Sequence, residues 1–177
     1  MKKLFTLFSL SIALLAVSSS KLSAQTFKKG DKQFNVGLGL LAFGGYASAE
    51  FGIEENIGIG PIVGYTYYNS GLLAGYSGDY GYGQFRAGAR GAYHLGDVLN
   101  LNDDKIDPYV AVSAGLVFDR EGYLYNSSTG GVDYKTRTLP FINPRVGASM
   151  ELSDQIRGYA ELGWGGSWLQ AGVSFKF

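Results

Sequence analysis

From residue 33 onward, apolar and polar residues alternate with a period of two rather than 3.6. Eight segments carry the pattern: 33–43, 46–53, 57–68, 80–95, 109–118, 139–152, 156–164 and 167–177. In the first, Phe34, Val36, Leu38 and Leu40 alternate with Gln33, Asn35, Gly37 and Gly39. In the fourth, Phe85, Ala87, Ala89, Gly91, Tyr93 and Leu95 alternate with Gln84, Arg86, Gly88, Arg90 and His94. The last puts Leu169, Ala171, Val173, Phe175 and Phe177 on one face. A strand sends successive side chains to opposite faces, so each segment predicts a strand with one apolar and one polar side. An even count of eight suits a closed antiparallel up-and-down barrel.

The charges mark the polar face. Glu50, Arg86, Arg90, Arg145, Glu151, Arg157, Glu161 and Lys176 all share the polar parity of their strands. A soluble barrel would turn that face to water, whereas a membrane barrel would turn it inward and give the apolar face to lipid. Aromatic placement separates the two. With the mature N-terminus in the periplasm, Phe34, Phe51, Tyr93, Phe175 and Phe177 form a low level, and Tyr65, Tyr67, Phe85, Phe118 and Trp164 a high one. Aliphatic residues such as Val36, Leu38, Ala89, Val112 and Val146 lie between. Two aromatic girdles around an aliphatic belt match the two membrane interfaces. In this orientation the turns at 54–56 and 153–155 are periplasmic and short, and 96–108 is a longer one. The long outer loops are expected at 69–79 and 119–138, with tight outer connections near Gly44 and Gly165. Pro61 and Pro144 fall inside strands, where a missing N–H points to a bulge or kink.

The N-terminus alters the picture of where this barrel sits. Met1-Lys2-Lys3, an apolar run over 4–17 and Leu22-Ser23-Ala24 before Gln25 form an export signal cleaved after residue 24. The run is too short for the roughly 20 residues of a spanning helix. Residues 25–177 are then a single domain. Lys2, Lys3 and Lys21 fall in the signal, so the 15 basic residues drop to 12 against 15 acidic ones, and nothing points to a nucleic-acid partner. No cysteine is present, which removes disulfides, thiolate metal sites and a lipidated cysteine.

The last eight residues are Gln170-Ala171-Gly172-Val173-Ser174-Phe175-Lys176-Phe177. They resemble the C-terminal assembly signal of bacterial outer-membrane barrels, in which Gly172, Phe175 and the terminal Phe177 are the fixed positions. The segments 88–94 (GARGAYH) and 161–165 (ELGWG) resemble recurring strand segments of small porin-like outer-membrane β-barrel proteins. Over residues 34–177 the chain is thus similar to the OmpA/OmpX type of eight-stranded barrel. That resemblance implies a Gram-negative outer membrane, lipid as surroundings and insertion by the barrel-assembly machinery. It implies no single activity, because such barrels serve as anchors, adhesins, weak pores and lipid-modifying enzymes. No peptidoglycan-binding domain follows the barrel, so a wall-tethering role is not expected.

Little in the chain suggests catalysis. His94 is the single histidine, has lumen parity, and is followed two residues on by Gly96. Lipid A deacylases of similar size use a His, a Ser and an acid on the outer wall, so His94 is read as structural. The acidic run 102–107 (NDDKID) lacks calcium-loop spacing and reads as a solvated turn. No cofactor or metal motif is present. Tyr76, Tyr123, Tyr125 and Tyr134 lie among Gly and Ser in the outer loops, an adaptable recognition composition. Inside, Glu151 is expected opposite Arg157 across a three-residue hairpin at 153–155, with Leu152 opposite Ile156. Glu161 is expected opposite Gly147 with Arg145 a diagonal step away, and Arg86 and Arg90 are the expected counter-charges of Glu50. The expectation is therefore a monomeric, non-enzymatic outer-membrane barrel whose outer loops meet the environment or a partner. A small-solute porin is the first alternative and a membrane-lipid-modifying enzyme the second.

Overall fold

A computed structural model describes residues 27–40, 43–69, 81–99, 105–126 and 131–177. Within these, the side chains of 68, 69, 81, 82, 120–126 and 131–135 are not described. The export signal and Tyr76 lie outside the described residues. Tyr123, Tyr125 and Tyr134 have described backbone only.

The strands are β1 (Lys32–Gly39), β2 (Phe43–Glu54), β3 (Ile57–Asn69), β4 (Gly81–His94), β5 (Ile106–Asn126), β6 (Gly131–Ser153), β7 (Ile156–Gly163) and β8 (Leu169–Lys176). Each pairs antiparallel with its sequence neighbours, and β8 closes on β1, so the sheet is a closed eight-stranded up-and-down barrel. Closure pairs the backbone all round and leaves no sheet edge along the wall.

The faces are inverted relative to a soluble protein. Buried residues include Gln33, Asn35, Ser48, Glu50, Arg90, His94, Asp107, Ser113, Asn143, Arg145, Arg157, Glu161 and Ser174. The aromatics of both expected girdles are exposed, from Phe34 and Phe175 to Tyr65 and Trp164, as are Val36, Leu38, Val112 and Val146 between them. Few apolar residues are buried among the described ones: Phe27, Ala92, Tyr109, Ala111, Val117 and Tyr159, with Ala92, Tyr109 and Ala111 in one cluster. An outer wall of this composition is unfavourable in water and favourable in hydrocarbon.

Two sequence boundaries need correction. The expected loop 119–138 is mostly strand: β5 runs up to Asn126 and β6 starts at Gly131, with Arg120 opposite Thr136 and Asn126 opposite Gly131. Above the apolar wall both faces become polar, so the period-two signal fades while the ladder continues. Because β7 ends at Gly163, opposite Arg145, this hairpin rises far above its β7 neighbour. The expected turn 96–108 likewise shortens, since β5 begins at Ile106.

The prolines sit where the ladder can spare a donor. The β2–β3 ladder lacks the pairs between Ser48–Ile62 and Phe51–Ile59 without a change of register, and Pro61 lies in that gap; the bulge of this ladder is at Gly52–Glu54 instead. Pro144 accepts from the Trp164 N–H at 3.1 Å at the end of the β6–β7 ladder, so no further partner strand needs its missing N–H. The β6–β7 turn also differs from expectation. Ser153, not Leu152, stands opposite Ile156, because an irregularity between Glu151 and Ser153 absorbs Leu152.

Ahead of β1, residues 27–31 fold under the barrel. The Gly30 N–H donates to the Gly52 carbonyl at 2.8 Å, and the Asn56 N–H donates to the Phe27 carbonyl at 3.1 Å. Gly52 permits this approach, since a Cβ there would overlap the Lys28 carbonyl. Phe27 is thereby held against the lumen end, 3% exposed.

Candidate functional site

The lumen is where the chain concentrates its chemistry, because alternation sends Glu50, Arg90, Arg145, Arg157 and Glu161 inward. An eight-stranded interior is only wide enough for side chains to fill. Here they fill it in three layers.

The layer nearest the termini centres on His94, at the end of β4. Its Nδ1 lies 2.6 Å from Asp107 Oδ2 and its Nε2 lies 2.9 Å from Glu50 Oε1. Gln33 Nε2 donates to the other Glu50 oxygen at 3.1 Å. Phe27 stacks on the imidazole with centroids 4.4 Å apart and planes 14° from parallel. The partner of the Glu50 carboxylate is therefore His94, not the expected Arg86 or Arg90. The reason is height: Arg86 and Arg90 stand eight and four residues from His94 along the same strand. Asp107, read from sequence as part of a solvated turn, faces inward from the start of β5 and is buried.

The middle layer is a cross-lumen ion pair. Arg90 Nη2 lies 2.5 Å from Glu161 Oε1, linking β4 to β7. Tyr109 donates its hydroxyl to the same oxygen at 2.8 Å. Arg145 Nε approaches the second oxygen at 3.8 Å, so one carboxylate serves two guanidinium groups. Glu161 stands opposite Gly147, and the Tyr109 ring and Glu161 occupy the space a Cβ at Gly147 would take. Tyr46 of β2 and Tyr159 of β7 meet edge to face, 6.3 Å between centroids, across the β1–β8 wall. Gly37 and Gly172 stand opposite each other beneath these rings. A Cβ at Gly37 would lie 2.6 Å from both the Tyr159 hydroxyl and the Tyr46 ring. Gly172, a fixed position of the C-terminal pattern, thus also has a packing role in this chain.

The third layer is more open. Arg86 donates from Nη2 to Thr66 Oγ1 at 3.3 Å and to Gln84 Oε1 at 3.1 Å. Arg145 Nη2 donates to the carbonyls of Gly165 and Ser167 at 2.7 and 2.9 Å. Both carbonyls belong to the β7–β8 connection, whose tight path uses positive φ at Gly165 (82°) and Gly166 (67°). Between these arginines lies a cavity of about 40 Å³, lined also by Ser113, Asn143 and Gln170. The space around Glu50, Arg90 and His94 is about 10 Å³, at the limit for a single water.

Glu151 and Arg157 are opposite each other, as the spacing implies, yet they form no ion pair. Arg157 instead donates to Ser149 Oγ at 3.0 Å and reaches the Lys105 carbonyl at 3.5 Å, while Glu151 stays half-buried. A short polar acceptor on its own face and the Lys105 carbonyl at the rim, which also accepts from the Glu151 N–H at 2.9 Å, draw the guanidinium away. At the opposite rim, outside the wall, Trp164 packs near Trp168 with centroids 5.0 Å apart, and both are exposed. Phe175 and Phe177 are exposed on the outer face near the termini.

No protein-family model and no curated protein matches the chain. Solved structures do. The N-terminal β-barrel domain of Pseudomonas aeruginosa OprF superposes with a TM-score of 0.56 at 15% identity, over 85% of this chain and 100% of that one. Neisserial surface protein A superposes with a TM-score of 0.53 at 16% identity, over 83% of this chain and 94% of that one. At such identities the likeness concerns the fold alone. The chain has the fold of the small eight-stranded outer-membrane β-barrels, with its charges inside and its apolar residues outside.

Proposed function

We propose that this chain is a non-enzymatic integral protein of the bacterial outer membrane, exported by a cleaved signal, whose raised β5–β6 hairpin meets the environment or a partner. The observation that carries the reading is the inversion of polarity around a closed ring. Glu161 is 2% exposed inside while Leu38 and Trp164 are 61% and 64% exposed outside. Lipid satisfies such a wall, and a fully paired backbone is the condition for crossing it.

The lumen supports a plug rather than a pore. Arg90, Glu161, Tyr109, Tyr46 and Tyr159 occupy its middle, and Phe27 stacks beneath His94 at one end. His94 supports the non-enzymatic reading, because it is held between Glu50 and Asp107 inside the barrel and cannot reach lipid. The β5–β6 hairpin supports a contact role by its reach, with Tyr123, Tyr125 and Tyr134 on its upper part. Outer-membrane lipid and the barrel-assembly machinery are the partners this reading requires, and the protein acts as a monomer.

Planar-bilayer recording of the purified, folded barrel tests the plug against the porin. The reading expects no steady open level. A large, stable conductance from wild type would replace it with the small-solute porin.

A further inference from the structure

We propose that the cavity between Arg86 and Arg145 is a binding site for one small oxyanion, a phosphate-sized group free in solution. Glu161 Oε1 already accepts from Arg90 and Tyr109, and its other oxygen lies 3.8 Å from Arg145 Nε. One carboxylate between two guanidinium groups leaves a positive charge uncompensated in a place where Arg145 is only 6% exposed. Arg145 Nη2 is used on two backbone carbonyls, which carry no net charge, and its Nη1 has no hydrogen-bond partner at all. Buried charge of this kind is stable only when paired.

The cavity that Arg145 lines has the matching chemistry. Arg86 enters it from β4 on the far wall, and Thr66, Ser113, Asn143 and Gln170 add hydroxyl and amide donors. No carboxylate lines it. Two buried acids stand off it: Glu161 below, whose Oε1 is taken by Arg90 and Tyr109, and Asp119 one inward-facing position beyond Val117, the residue opposite Arg86. Its volume of about 40 Å³ is room for about three waters, or one small oxyanion with its donors around it. Guanidinium groups bind such oxygens with short, charge-assisted hydrogen bonds. The closed wall keeps lipid headgroups out, so the ligand comes from solution. The opposite end of the lumen, with Glu50 and Asp107 around His94, would repel the same ion.

The test is calorimetric titration of sodium phosphate into the full barrel, folded in zwitterionic detergent at constant ionic strength. Saturable binding of one phosphate per chain is expected. Arg145→Gln should weaken it by at least about tenfold, the effect of losing one charge-assisted contact. Arg157→Gln, at the other end, should leave it unchanged. Ser113→Leu fills the cavity while keeping both arginines and should also abolish binding, which covers the case in which Arg145→Gln does not fold. No saturable binding to wild type, or equal binding by Ser113→Leu, would overturn the site.

Discussion

Arg90 and Glu161 meet across the middle of the barrel at 2.5 Å, although 71 residues separate them in sequence. They come from β4 and β7, which share no ladder, so their contact depends on the ring being closed. It is therefore a direct reporter of the closed, filled lumen.

Removing one member should strand the other. Glu161→Gln leaves Arg90 and Arg145 without a carboxylate and should destabilise the barrel by about 3–5 kcal/mol. Arg90→Gln joined to Glu161→Gln should cost less than the two single changes together. Urea unfolding in lipid vesicles measures this, and strict additivity would show that the two side chains do not meet.

The same experiment on Glu151 and Arg157 should give the opposite result. They stand opposite each other but point to different partners, so their effects should add within about 0.5 kcal/mol. A coupling above about 1 kcal/mol would mean that Arg157 leaves Ser149 for Glu151 in the membrane.

These two pairs show what the sequence made legible. Alternation placed Glu50, Arg90, Arg145, Arg157 and Glu161 inside, because a period of two fixes the face of every residue once one is known. Neighbour register was also legible: Gly147 opposite Glu161 and Glu151 opposite Arg157 follow from one hairpin. Partners across the lumen were not. They depend on relative heights of non-neighbouring strands, which no local spacing encodes, and so spacing alone pairs Glu50 with arginines rather than with His94. Asp107 was hidden because a proline-flanked acidic run reads as turn. Phe27 was hidden because a single aromatic ahead of the first strand has no period. The upper reaches of β5 and β6 escaped for a third reason: outside lipid, strands need no apolar face.

Phe27 should matter to stability more than its position before β1 suggests. Phe27→Ala removes the ring stacked on His94 and opens that end of the lumen, at a cost of roughly 3 kcal/mol. Urea unfolding measures it, and a change below about 0.5 kcal/mol would mean that residues 27–31 do not seal the barrel.

Gly172 and Phe177 should separate packing from assembly. Gly172→Ala places a methyl against the Val36 carbonyl and the Tyr159 hydroxyl, so the folded barrel itself should be destabilised. Phe177 is 75% exposed and makes little internal contact, so Phe177→Ala should slow insertion in cells while leaving the urea midpoint of refolded protein nearly unchanged. Pulse-chase insertion and unfolding, run on both variants, give the comparison. Equal insertion of Phe177→Ala and wild type would remove the assembly role of the C-terminal residues.

This barrel is expected to span the outer membrane with its β5–β6 hairpin outward and its short turns inward. Single cysteines at Asn126, at the top of β5, and at Asp154, in the β6–β7 turn, test it in a chain that has no cysteine of its own. An impermeant thiol reagent on intact cells should label the Asn126 site alone, and the Asp154 site only after the outer membrane is opened. Labelling of Asp154 in intact cells would reverse this orientation, and recovery of the chain in the soluble periplasmic fraction would rule out a membrane-spanning barrel.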